Sequence, residues 1–331
     1  MNKTGLSISL CLAAVLVSAA ALAEPITIKF AHVVTDSTPK GQGARLFKEL
    51  VEQRLGDQVR VEVYANSSLY GDADEMEALR EHKVQLLAPS LAKFEAYTPQ
   101  LQVFDLPFLF DDLAAVDRFQ RRAKGRQLLQ SMNAHNIVGL AYWHNGMKQL
   151  SATRALRTPE DARDLNFRIQ HSAVLEAQFQ QLGAKTSKLP FSGVYTALKS
   201  GQVQGAENPW SNIYSQKFHE VQPYIIETNH GVLDYMLVSN SRFWYSIPHH
   251  IRVELEGIID EVTYAVNQQA AKLNIGYRQQ IQQSGHSQVL QLSNAERQAW
   301  RGAMEPVWRQ FETQIGTDII KAARAANRKP D

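Results

Sequence analysis

Apolar residues in this chain change period repeatedly, from two to three or four and back, and that alternation limits the fold more than any other feature. "PITIKFAHVV" places Ile26, Ile28 and Phe30 at every second position, as a half-buried strand requires. "TDSTPKGQGARLFKELVEQRLG" follows with a helix start. Ser37 or Thr38 caps it, Pro39 suits the first turn, and Leu46, Leu50 and Val51 form an apolar stripe. Val59, Val61 and Val63 in "QVRVEVYA" mark a second strand. "GDADEMEALREH" opens with Asp72 three residues before Glu75, the spacing of a capping box, and "VQLLAPS" reads as a third strand. Strand, helix, strand, helix, strand is the grammar of a parallel α/β sheet.

The grammar resumes further on. "NIVGLAYWH" (136–144) reads as a strand, a helix starts at Thr158 and Pro159, and "NFRIQ" is a short strand. "AVLEAQFQQLG" is a helix stopped by Gly183, and "SGVYTALKSG" is another stopped by Gly201. Two α/β units therefore meet near residues 144–150. From Pro248 to about Ser284 the pattern is different. Ile251, Leu255, Ile258, Val262, Ala265, Gln269, Leu273, Tyr277 and Ile281 step by three or four residues. One helix with that stripe would be on the order of 50 Å long, enough to tie two lobes together. The competing reading is two helices broken at Gly257 or Gly276. Ser293-x-x-Glu296 then opens a further helix with a capping box.

Composition excludes whole classes of function. Of 331 residues, 44% are hydrophobic and 21% charged, ample for a large core, and the formal net charge of +2 argues against a nucleic-acid surface. The densest basic cluster, Arg118 to Arg126, suits a solvated helix face. Residues 1–23 carry Lys3, an apolar run from Leu6 to Val17, and Ala21-Leu22-Ala23, the pattern of a cleaved secretory signal. The run is short for a bilayer span. The only cysteine, Cys11, lies in that segment, so the mature chain is expected to have no disulfide and no thiol chemistry. A secreted chain of this size without disulfides points to a bacterial periplasm.

Catalytic motifs are missing. There is no G-x-S-x-G elbow, no P-loop, no full dinucleotide fingerprint and no H-E-x-x-H. "GQG" (41–43) is a fragment of such a fingerprint, better read as a helix start; "PHH" (248–250) has the wrong spacing for a shared metal, and "DADE" (72–75) reads as a helix cap rather than a calcium loop. What remains is a set of polar residues near predicted strand ends, where parallel α/β sheets place their ligands. Ser90 ends one strand, Lys148 follows another past Asn145-Gly146, Arg168 lies in "NFRIQ", Asn208 ends a short strand, and Lys40 sits in the first turn after strand one. Each has an ordinary alternative. An Arg flanked by Phe167 and Ile169 can sit on the wet face of a half-buried sheet, and most lysines are simply solvated. Phe191 and Trp210 are core aromatics by default, though a Trp just past a strand end also suits a pocket wall. In "GQVQGAENPW", Pro209 keeps Asn208 extended, which would aim its amide consistently.

The segments "FAHVVTDSTPKGQGA", "FDLPFLF", "FRIQHSAVLEAQFQQLGA", "PFSGVYTALKSGQVQGAENPWSNIYSQKFHEVQ" and "ETNHGVLDYMLVSN" span nearly the whole mature chain. In them the sequence resembles the periplasmic solute-binding proteins of TRAP transporters, in particular the C4-dicarboxylate branch. The resemblance implies an α/β fold of two lobes with a central cleft and a long helix along both. Its implied division is 24–145 with 234–273 for one lobe and 146–233 with 274–331 for the other. It places a carboxylate-clamping role on Arg168, ligand contacts on Asn208, Lys148, Phe191 and Ser90, and less specific matches on Lys40 and Trp210. It implies a succinate, fumarate or malate ligand, membrane transporter subunits as partners, no cofactor and no catalysis. Gly193, where the family has Glu in "FSEVY", and "RDLNF" depart from the pattern. Two carboxylates call for two cations, with Lys148 or Lys40 joining Arg168. Glu207 would repel a dianion and is expected outside the pocket as a structural partner. A sensor subunit that presents the ligand to a kinase, a binder of another small organic acid, and a periplasmic hydrolase are the alternatives. The last would need a nucleophile or metal set that the spacing does not reveal.

Overall fold

The computed structural model describes residues 24–328, so the expected signal segment and Cys11 lie outside the described residues. Nine strands among the described residues form one sheet. They are β1 (Ile26–Ala31), β2 (Val59–Tyr64), β3 (Leu86–Leu87), β4 (Ile137–Ala152), β5 (Asn166–Ile169), β6 (Lys185–Lys188), β7 (Gly205–Asn208), β8 (Tyr224–Asn240) and β9 (Gln288–Gln291). The order is β2-β1-β3-β8-β4-β7-β5-β6, with β9 also paired to β8. The expected parallel pairs are present: β1 with β2 and β3, and β5 with β6 and β7.

The two parallel units are welded by something the periodicity understates. The expected strand 136–144 does not turn at Asn145-Gly146; β4 continues for 16 residues and pairs antiparallel along its length with the 17-residue β8. The ladder slips at Gly139/Ala141, His144/Gly146 and Lys148/Leu150. Each slip leaves backbone groups unpaired and bends the ribbon, as bulges do. Gly146 belongs to the middle slip. A Cβ there would meet Asn274 Nδ2 at 2.9 Å and Pro209 Cβ at 3.0 Å, so a glycine is needed for close packing rather than for a turn.

His249–Ser284 is one unbroken 36-residue helix, ended by Gly285 at φ +69°. Gly257 and Gly276 do not break it; a Cβ at either would meet nothing within 4 Å, so both lie on its open face. The buried stripe follows the expected Ile251, Leu255, Ile258 and Val262, then moves to Val266, Ala270 and Asn274 before returning to Ile281. Ala265, Gln269, Leu273 and Tyr277 are not fully buried. The reason lies in β4. His144 N donates to Asn267 Oδ1 (2.8 Å), and Asn267 Nδ2 donates to Tyr142 O (3.1 Å). Asn274 Nδ2 donates to Asn145 O (2.6 Å), while its Oδ1 accepts from Ser211 N (3.0 Å). Helix amides thus satisfy the backbone groups that the slipped ladder releases.

Apolar cores lie on both sides of this ribbon. Phe30, Phe47 and Trp143 pack with Leu255 and Val262 at one end; Phe167, Phe179, Trp300 and Met304 pack at the other. The start at Thr38 is as expected: its side chain accepts from Gly41 N, with Pro39 in the first turn. The capping box of Ser293 and Glu296 also forms. The one expected between Asp72 and Glu75 does not. That helix runs Glu75–Arg80 from Asp74, without a side-chain cap. Both carboxylates are drawn instead to the buried side, where Lys93 pairs with them.

Candidate functional site

Lys40, Ser90, Phe191 and Asn208 come together around one small cavity of about 20 Å³ between the two halves. Helix capping at Thr38 turns Lys40 inward, where it is 1% exposed. Its Nζ donates to Ala88 O (2.8 Å) and stands 3.6 Å from the Tyr235 ring centroid. Burial pulls the Lys40 ammonium down to about 7; Glu75 and Asp72 favour the charge, and Lys93 opposes it. Ser90 follows β3 in an isolated bridge to Tyr235, and its Oγ accepts from Gln170 Nε2 (2.7 Å). Asn208 is the last residue of β7, and Pro209 keeps the following backbone extended. Its Oδ1 accepts from Asn212 Nδ2 (3.2 Å), while its own Nδ2 is buried with no hydrogen-bond partner. A buried amide donor without a partner costs about 1–3 kcal/mol. Its place on a cavity wall marks it as a group awaiting an acceptor.

Arg168 is buried, not on a wet sheet face, because β5 is flanked by β6 and β7 and covered on both sides. Its Nε and Nη2 both donate to Leu189 O (2.9 and 2.7 Å), and its guanidinium carbon stands 5.9 Å from the Phe191 ring. Burial lowers it to about 10, against Asp72 and Glu207. It remains charged at neutral pH. Arg168 lines an adjoining opening of about 710 Å³ with Lys93 and Tyr97. Asp72 and Gln170 border both spaces, so the small cavity is the inner end of the wider one.

Lys148 and Trp210 line neither space. Lys148 is a residue of β4, not of a loop beyond it, and its Nζ pairs with Glu207 Oε1 (2.7 Å) at 2% side-chain exposure for both. Glu207 Oε2 also meets His230 Nε2 (2.9 Å). Burial would raise the Glu207 carboxyl, yet Lys148 and His230 outweigh it and hold it down to about 2. This lysine has its counter-charge inside the protein. Trp210 packs in the apolar cluster behind Phe191, with the Arg278 guanidinium 5.8 Å from its ring.

Reasoning from sequence missed several lining residues. Asp72 and Glu75 were assigned to a helix cap. Asp72 instead accepts from Phe191 N (2.5 Å) and faces both Lys93 and Arg168. Lys93, Asn212 and Tyr235 carry no local signal. Gln170 does carry one: it directly follows β5, the strand that holds Arg168, at the position where such sheets present ligand contacts. Hydrogen bonds that cross the cleft include Asp72 to Phe191 N and Gln170 to Ser90.

Two α/β halves, a ribbon and a long helix joining them, and a cavity between them lined by Lys40, Ser90 and Asn208 define a binding protein for a small anionic solute. The chain belongs to the bacterial extracellular solute-binding protein family 7 (DctP), whose model matches residues 30–314. It is 52% identical over 306 residues to the C4-dicarboxylate-binding periplasmic protein DctP of Shewanella loihica, covering 92% of this chain and 91% of that one. It is 46% identical to the protein of the same name from Vibrio cholerae, covering 94% and 95%. Among solved structures, a TRAP periplasmic solute-binding protein from Shewanella oneidensis with bound succinate superposes with a TM-score of 0.91 at 53% identity, covering 92% of this chain and all of that one. One from Pseudomonas aeruginosa with bound L-malate gives 0.85 at 59% identity, covering 86% and all of that chain.

Proposed function

We propose that this protein captures C4-dicarboxylates in the periplasm, after loss of residues 1–23, and hands them to the membrane subunits of a TRAP transporter. The observation that carries the reading is the cavity where buried Lys40 and the partnerless Asn208 Nδ2 meet beside Arg168. Arg168 gives Leu189 only its Nε and Nη2, so Nη1 is left for one ligand carboxylate. Lys40 answers the second. Asn208 donates to a carboxylate or hydroxyl oxygen, Ser90 and Gln170 border the same space, and Phe191 packs on the carbon chain. Lys148 and Trp210 act from behind, one holding Glu207 and the other supporting Phe191. Two similar solved structures hold succinate and L-malate, which supports the substrate class.

A cavity of about 20 Å³ holds little more than one water, so a dicarboxylate enters only when the cleft opens. The hinge we propose lies at the slipped registers of β4 and β8, with 24–145 and 234–273 in one lobe and 146–233 and 274–304 in the other. Residues 307–326, expected with the second lobe, pack instead into the first lobe's core against Leu101, Phe104, Phe119 and Met132. The contacts Asp72 to Phe191 N and Gln170 to Ser90 then break and re-form with each cycle. Titration calorimetry of the mature protein with succinate, L-malate, fumarate and a sugar acid tests the reading. Binding of the C4 acids in preference to the sugar acid is expected; no heat with any C4 acid refutes it.

A further inference from the structure

Lys40 and Lys148 are buried and Lys93 is half-buried around the cleft and its rear wall, and two of the three have carboxylates. Lys93 contacts Asp72 and Glu75, and Lys148 contacts Glu207. Lys40 has none within ion-pair distance among the described residues. Its contacts are one carbonyl, Ala88 O, and the face of Tyr235. An ammonium carries three donors, so it is under-satisfied where it stands. Glu75 and Asp72 face Lys40 but are engaged by Lys93, whose own charge opposes that of Lys40. His32, just past the end of β1, is also buried with neither ring nitrogen partnered, and burial and Lys40 hold it neutral. The surroundings thus favour a neutral amine, consistent with a lysine pulled down to about 7.

A carboxylate entering the cavity would supply the missing counter-charge. We propose that Lys40 is the residue that selects for a second carboxylate, and that it takes up a proton from solvent as a dicarboxylate binds. The inference rests on the cleft-binding reading above. The step balances simply: the neutral amine, one solvent proton and the dianion become an ammonium–carboxylate pair. A monocarboxylate held by Arg168 leaves the amine neutral and draws no proton.

The test is calorimetry of fumarate binding, whose carboxylates are both ionised at the pH values used, in buffers of different ionisation enthalpy. The slope of apparent heat against buffer enthalpy counts protons. About 0.9 proton per fumarate is expected at pH 8 and about 0.1 at pH 6, with affinity falling about tenfold per pH unit above pH 7. Lys40→Arg fixes the charge; its slope should fall to near zero and its affinity should stay flat from pH 7 to 9. Fumarate binding at pH 8 with zero slope in the wild-type protein overturns the proposal, and so does a slope that persists in Lys40→Arg. If that variant does not fold, the wild-type slopes at pH 6 and 8 decide alone. Absence of any fumarate binding is a separate result, which removes the reading of the cleft itself.

Discussion

Lys148 is where the resemblance and the geometry disagree, and replacing it separates them. In Lys148→Met the side chain keeps its length and apolar stem but loses its charge. Glu207 then remains at 2% side-chain exposure with His230 Nε2 still 2.9 Å away. Removing one member of a buried ion pair costs about 3–5 kcal/mol, and the His230 contact keeps the loss near the lower end, about 3 kcal/mol. Unfolding entropy grows with chain length, so in a chain this long that loss corresponds to a melting point lower by about 5 °C. Ligand affinity should change by less than about threefold, because Lys148 lines neither space. Thermal denaturation followed by circular dichroism and titration calorimetry with succinate are read on the same preparation. An unchanged melting point with a tenfold or larger loss of affinity would show that Lys148 faces the ligand and that its pairing with Glu207 gives way on binding.

Arg168→Ala should weaken succinate binding by about 2–5 kcal/mol, at least thirtyfold in Kd, because a desolvated charge partner of the ligand is lost. Calorimetry with unaltered Kd would move the site. Asn274→Ala leaves Asn145 O and Ser211 N without their amide partners and should destabilise the fold by about 1–3 kcal/mol, measured by urea denaturation. The paired Glu207 carboxyl is held at about 2, below its ordinary value. Its stabilisation is therefore complete above about pH 4.5 and lost as pH falls towards 2; Glu207→Gln should remove that part of the acid-unfolding profile. His144 is hydrogen-bonded to Asp234 Oδ2 (2.7 Å) where β4 and β8 slip. Burial disfavours its charge, but Asp234 and Asp117 raise it to about 9. Its stabilisation is fully present below pH 6.5 and lost as pH rises through 9, so the melting-point gap between wild type and His144→Gln should narrow over that window.

The elements with a clean period were legible. β1, β2, the Thr38 start and the 36-residue helix follow from apolar spacing and capping chemistry that local residues specify alone. The full length of β4 was not legible, because Asn145-Gly146 has turn chemistry and only contact with Asn274 and Pro209 explains the glycine. The same holds for Asn267 and Asn274. On a helix they read as exposed polar residues, and the backbone atoms they meet beyond their own helix lie 63 to 129 positions away. In the site, Lys40, Ser90 and Asn208 were found at element ends and Phe191 through the resemblance, and the four converge as the sheet topology directs. Lys148 was found for the right chemistry, but its counter-charge, Glu207, is fixed by the β4–β7 register, which no local pattern encodes. Asp72 was misread because an acid before a helix has a local use, and only the folded cleft shows its two oxygens taken by Lys93 and Phe191 N.

A crystal structure with bound succinate examines the central claim most directly. The account predicts one carboxylate on Arg168, the other within hydrogen-bond distance of Lys40 Nζ, an oxygen accepting from Asn208 Nδ2, and the carbon chain against Phe191. Succinate bound through Lys148 with Glu207 displaced, or seated outside the cleft, would contradict it.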